Sequence, residues 1–235
     1  MPIEIIIFSL LAGSTVFIGG VLSYFFEKTV INRKVKIQIV HFLTAFSTGI
    51  MLCAVAFVLV PKGMSNLSPI SSIFIFLMGS LFFYFLDYYI HKNRTSIPQF
   101  ISMLLDFIPE SIALGALFAY DPKTGILLAI FIACQNLPES FSSYIELRTS
   151  SFSKANSLFL LFVFSFIGLL FSLLGFYLLS DNLKLISALM LFSAGGILYI
   201  IFEDIAPSMK LKNSRFIVMG VNLGFVVGML SEALI

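Results

Sequence analysis

Charge is scarce in this sequence: only 11% of its 235 residues are Asp, Glu, Lys or Arg. A soluble domain so poor in charge would be unable to cover its own surface, so a soluble globular protein is excluded. The formal net charge of +2 offers no basic field for nucleic acid, and no nucleic-acid partner is expected. Tryptophan is absent and only two cysteines occur, Cys53 and Cys134. Both fall inside apolar stretches, which excludes a disulfide framework. The opening "MPIEIIIFSLLAG" lacks the basic segment and small-residue cleavage site of a signal peptide, and reads as a first membrane span. No His-Glu-x-x-His or Gly-x-Ser-x-Gly motif is present, so neither a zinc hydrolase nor a serine hydrolase is indicated, and the chain is not read as an enzyme.

Apolar residues fill the space the charges leave. They make up 59% of the chain, and the mean hydropathy is +1.06. Runs of about 20 such residues, enough to cross a hydrocarbon core of roughly 30 Å, recur from end to end. Eight spans are predicted, at about 3–26, 37–60, 70–90, 98–119, 125–146, 156–180, 183–205 and 214–234, in one transporter-like domain covering 1–235. None shows the polar/apolar alternation of a barrel strand, so the fold class is an all-α polytopic membrane protein. Pro61, Pro69, Pro98, Pro122 and Pro207 mark expected span ends.

The fourteen basic residues lie outside the spans or at their edges. Eleven fall in the first, third, fifth and seventh loops, and only Lys62, Lys123 and Lys184 in the other three. The positive-inside rule therefore places the crowded loops in the cytoplasm and both termini outside. "FSTGIMLCAVAFVLVP" (46–61) and "FSAGGILYIIFEDIAP" (192–207) share Phe, Ser, Gly, Leu and Pro at one spacing, offset by 146. They belong to spans 2 and 7, which cross in opposite directions. Oppositely oriented repeats characterise secondary transporters, whose site forms at the midplane between related halves. The expected plan is three spans, two, then three.

The central pair carries a second repeat. "DFIPES" (106–111) and "QNLPES" (135–140) stand 29 residues apart in spans 4 and 5. Asp106 and Glu110 are four residues apart and share a helix face, as do Gln135 and Glu139. A charge at the centre of a span costs roughly 2.5–3.5 kcal/mol and marks an ion or proton pathway. Pro109 and Pro138 deprive the carbonyls of Leu105 and Cys134 of their usual donors. Three carboxyl groups facing one another repel unless a cation lies between them or protons neutralise them. No span interior supplies a basic residue, which leaves a divalent cation or protons; hydrogen bonding between protonated carboxyls is the purely structural reading.

These hexapeptides, at the centre of an eight-span chain, resemble the paired metal-binding helices of the ZIP (Zrt/Irt-like) metal transporters. The closest likeness is to a bacterial branch reading His-Asn-x-Pro-Glu-Gly and Gln-Asn/Asp-x-Pro-Glu-Gly. The likeness extends to spans 2 and 7 and to "LFFYFLDYYIHK" in span 3. It implies that Asp106, Glu110, Gln135 and Glu139 bind a transported divalent metal (Zn²⁺, Fe²⁺ or Mn²⁺). No cofactor beyond that ion is expected. It implies that Asn136 belongs to a second metal position, and that Glu203 and Asp204 match an exit-path pair; a solvated acidic helix end is the plainer reading of those two. The departures are specific. The family histidine is Asp106, the following Asn is Phe107, and each Gly after the Glu is Ser111 or Ser140. No acid lies between Glu146 and Asp181, so the sixth-span Glu of a second metal position is missing, and one site is expected. A His-rich third loop is also missing, since "HKNRTS" holds only His91. An all-oxygen site leans toward harder ions than an imidazole site does.

Other polar residues stay open on the sequence alone. Glu146 either hands a cation onward or sits in an interface beside Arg148. His41 either serves the exit path or is an interfacial histidine. Asp87 is expected to snorkel or to pair with nearby cations. The implied function is uptake of divalent metal into the cytoplasm by a multi-pass protein of the cell (inner) membrane. Its partners are the ion and the lipid bilayer, with a homodimer left open. The alternative is a non-transporting relative, a metal sensor or assembly subunit.

Overall fold

The structure, a computed structural model, describes residues 2–30, 32–92, 97–179, 182–205 and 215–234. Eight helices are long and apolar enough to cross a membrane: α1 Ile3–Thr29, α2 Lys34–Met64, α3 Pro69–Ile90, α4 Pro98–Tyr120, α5 Pro122–Thr149, α6 Lys154–Leu179, α7 Leu183–Glu203 and α8 Phe216–Leu234. Among the described residues there is no strand. The predicted spans match these helices to within a few residues at each end.

Proline marks the starts of α3, α4 and α5, and Asn32, Ser153 and Asn182 cap those of α2, α6 and α7. Pro98 and Pro122 occupy the first turns of α4 and α5, where a missing N–H costs nothing. Pro61 behaves differently from the expected terminator. Helix α2 passes through it to Met64, because residues Ala54–Leu59 wind as a π-helix just before it. That wider turn shifts the hydrogen-bond register, with the N–H of Val60 reaching back to Val55 O, and so absorbs the lost donor of the proline. Helix α7 ends in a second π-helical stretch, Ile201–Ile205. The two stretches sit at matching positions of the 46–61 and 192–207 repeats. Pro207 lies outside the described residues.

Four helices form the interior. The most apolar windows of α2, α4, α5 and α7 are 67%, 61%, 67% and 61% buried, against 17% for α3 and 22% for α8. The outer faces of α3 and α8 carry exposed Phe74, Leu77, Phe85, Val218 and Leu230, the surface expected toward lipid. Helix α5 packs on α1, α2 and α4; α4 also packs on α6 and α7; α2 packs on α8 and α3 on α7. Close backbone approach sets these pairs. A Cβ at Gly49 would collide with the Val221 carbonyl oxygen of α8, and one at Gly195 with the Phe76 carbonyl oxygen of α3.

Candidate metal site

Helices α4 and α5 run antiparallel and present their polar residues to each other at mid-length. Each N-terminus is tied down by a carboxylate. Asp121 accepts from the Thr124 N–H at 3.2 Å and from its hydroxyl at 2.6 Å, capping α5. Glu146, at the far end of α5, accepts from the N–H groups of Gln99 and Phe100 at 3.1 and 2.9 Å, capping α4. Carboxylates are favoured at such positions because the first N–H groups of a helix have no internal acceptor. The two helices are thereby held in one register. Gln135 Nε2 donates to Glu110 Oε2 at 2.6 Å, and the Ser143 hydroxyl lies over the Met103 sulfur at 3.9 Å. The same register brings Glu139 level with Asp106.

All five polar side chains are buried: Asp106 is 2% exposed, Glu110, Gln135 and Asn136 0%, and Glu139 5%. Seven of their polar atoms have no hydrogen-bond partner: Asp106 Oδ1, Glu110 Oε1, Gln135 Oε1, both oxygens of Glu139, and both Oδ1 and Nδ2 of Asn136. Buried polar groups in folded proteins are nearly always satisfied, and each orphan costs several kcal/mol in an apolar setting. Six of the seven are oxygens, an acceptor-rich set of the kind that binds a divalent cation. The carboxyl groups of Asp106, Glu110 and Glu139 lie near enough to act on one another electrostatically. Among the described residues, however, no three His, Cys, Asp or Glu side chains close around a single point. What the structure brings into direct contact is Glu110 with Gln135.

The remaining predicted residues are placed as follows. Glu146 is engaged in capping α4, which favours its interface reading over a relay; Arg148 beside it pairs with Glu27 at 3.5 Å. His41 is half-buried in the first turns of α2. Glu203 is exposed and lines a crevice of about 320 Å³ with Ser80, Leu198, Tyr199 and Phe202, between α3 and α7. The α4–α5 residues do not line that crevice. The side chain of Asp204 lies outside the described residues. Asp87 accepts from the Tyr199 hydroxyl of α7 at 3.3 Å. Phe107 is 2% exposed, and its ring packs on Gly168 of α6, where an added Cβ would overlap it.

One group of site residues carries no mark in the sequence. Thr44, Ser47 and Thr48 of α2 are buried, as is Ser142 of α5, and the Thr44 and Ser142 hydroxyls meet at 3.3 Å. Their signal is the spacing of three hydroxyls at i, i+3 and i+4 within an apolar helix. Serine and threonine are so ordinary in such helices, where they bond back to the preceding turn, that spacing alone does not separate them from packing residues.

Eight apolar helices around a buried, acceptor-rich centre define an integral, multi-pass membrane protein of the ion-transporting kind. The family model described as "ZIP Zinc transporter" matches residues 93–235, which include α4 through α8. The chain belongs to the ZIP zinc transporter family, whose members carry metal ions and are transporters and not enzymes. No curated protein matches it.

Proposed function

We propose that this protein carries divalent metal ions of the zinc, iron or manganese class into the cytoplasm through a midplane site on α4 and α5. Asp106, Glu110, Gln135 and Glu139 bind the ion. The observation that carries this reading is the set of buried, unpartnered oxygens on Asp106, Glu110, Gln135 and Glu139, in a chain whose family moves metals. Gln135 is oriented by its own N–H: because Nε2 is given to Glu110, its Oε1 faces away and remains a neutral ligand. Entry of an ion would draw the Asp106–Glu139 and Glu110–Gln135 rungs together.

The proposed architecture is an inverted 3+2+3 repeat in the cell membrane, with both termini outside. Exchanging α1 with α6, α2 with α7, α3 with α8 and α4 with α5 converts the observed packing pairs into one another: α1–α5 into α6–α4, α2–α8 into α7–α3, α2–α5 into α7–α4. The matched π-helical stretches support the same reading. Alternating access follows from movement of one set of helices against the other.

The test is flux into proteoliposomes of Mn²⁺, Fe²⁺, Zn²⁺, Co²⁺ and Cd²⁺, for the native protein, Glu110→Ala, Glu139→Ala and Asp106→His. Removing a direct ligand is expected to cost more than the roughly 10–100-fold lost with an outer-shell partner. Unchanged flux in both alanine variants overturns the site. Asp106→His is expected to move preference toward Zn²⁺. A second reading, a non-transporting sensor or assembly subunit, is favoured by the Phe107 ring packed against Gly168, which fills space beside the site with hydrocarbon. Metal binding to the purified protein without flux supports it.

A further inference from the structure

The polar interior does not stop at Glu139. Thr44 and Ser142 meet across the α2–α5 interface at 3.3 Å, and the antiparallel register that pairs them puts Ser47 level with Glu139. The Ser47 hydroxyl stands beside the Glu139 carboxyl group yet donates to Thr44 O at 2.9 Å, and both Glu139 oxygens are left without a partner. Ser142 in turn donates to Pro138 O at 3.1 Å. Ser47 and Ser142 give their protons to backbone carbonyls, Thr44 meets Ser142, and each hydroxyl oxygen keeps a lone pair for a further partner. A buried carboxyl group within hydrogen-bonding reach of the Ser47 hydroxyl, followed by the Thr44–Ser142 contact, makes a run of oxygens of the kind a cation takes as ligands. Packing alone does not require hydroxyls here, since alanine and valine would fill the same space.

The seam starts at Glu139, passes the Thr44–Ser142 contact one turn further along α5, and points toward the end of the bundle where α2 begins. One helical turn is about 5.4 Å, short enough for an ion leaving Glu139 to gain hydroxyl oxygens before it loses the carboxylate. Neutral oxygens lower the cost of dehydration without holding the ion as a carboxylate would.

We propose that the buried hydroxyls of Ser47, Thr44 and Ser142 form the path by which a divalent cation passes between Glu139 and the α2-start end of the bundle. This inference rests on the carboxylates of α4 and α5 being the transport site. In the conformation described the seam is closed, and separation of α2 from α5 opens it.

The test uses the full chain in proteoliposomes, with Zn²⁺ and Mn²⁺ as probes. Equilibrium binding of the same ions in detergent is measured in parallel. Thr44→Val keeps the volume and removes the oxygen; Thr44→Ser keeps the oxygen and removes a methyl group. With Ser142→Ala in the background, Thr44→Val is expected to lower flux by about tenfold, the equivalent of one lost polar contact, while ion binding stays at the native level. Thr44→Ser is expected to transport like the native protein. If Thr44→Val transports normally, or if Thr44→Ser is the impaired variant, the residues only pack the interface and the inference is overturned. Glu139→Ala run alongside separates the two levels: loss of flux there with normal flux in Thr44→Val defeats the path and leaves the carboxylate site standing, whereas normal flux in both defeats the site itself.

Discussion

The repeats at 46–61 and 192–207 begin alike and end differently. Their glycines do one job. Gly49 lets α2 lie on the Val221 carbonyl of α8, and Gly195 lets α7 lie on the Phe76 carbonyl of α3. Each segment then unwinds into a π-helical stretch. Their serines are alike as well, Ser47 and Ser193 each buried and donating to a carbonyl of the preceding turn, but the polar surroundings differ. The first segment turns Ser47 inward, beside Glu139. The second carries its acid, Glu203, outward to a crevice with α3, and the position matching Glu203 in the first repeat is Phe57, itself 36% exposed. Backbone packing and the buried serine are thus duplicated, whereas the acid occurs in one copy. A repeat fixes how helices fit together; which side chains use the resulting interior is decided separately.

That comparison can be broken in three places. The largest effect is expected at the glycines. Gly49→Ala and Gly195→Ala each force a Cβ into a backbone carbonyl, and each should lower stability by about 1–3 kcal/mol, read as thermal unfolding in detergent. Unequal losses would mean that the two contacts are not equivalent. A smaller effect is expected at Glu203. An exposed charge away from α4 and α5 contributes roughly 0–1 kcal/mol, so Glu203→Gln should leave flux within about twofold of native. A collapse of flux would put Glu203 on the ion path, as its family resemblance implied.

The smallest effect concerns the tie between the end of α2 and the start of α5. Lys62 Nζ lies 2.5 Å from Asp121 Oδ2, with the side chains 36% and 26% exposed. Burial pushes the Asp121 carboxyl upward, but hydrogen bonds from Lys62 and Thr124 outweigh it and hold the group below the usual aspartate range. A carboxylate lowered on folding stabilises the protein above its unfolded value, and that contribution disappears as pH falls through the folded one. Asp121→Asn should therefore cost about 0–1 kcal/mol at neutral pH, and should flatten the acid end of the stability profile. An unaltered profile would show that the pair contributes nothing measurable.

Much of the candidate site is legible in the sequence. Asp106, Glu110, Gln135 and Glu139 stand out because carboxyl and amide groups are costly in apolar helices, and their four-residue spacing puts each pair on one face. Glu146 is harder, because seven residues from Glu139 it shares that face, and nothing local shows that the start of α4 arrives there with open N–H groups. Ser47 is hidden for the opposite reason: a serine in a span is cheap, so its presence carries no signal until a neighbouring helix supplies Glu139.

By itself the sequence determined eight helices, the proline-marked starts of α3, α4 and α5, and the residues rich in metal-ligand oxygen. Hydropathy, proline chemistry and helical spacing are local properties, written along the chain. Tertiary structure alone decided which way each polar group faces. The π-helical stretches add residues to a turn and rotate everything after them, so the 3.6-residue rule cannot be carried across 54–59 or into 201–205. Helix α5 also meets three partners at once, and only their joint packing selects Glu110, Ser47 and the start of α4 as the neighbours of Gln135, Glu139 and Glu146.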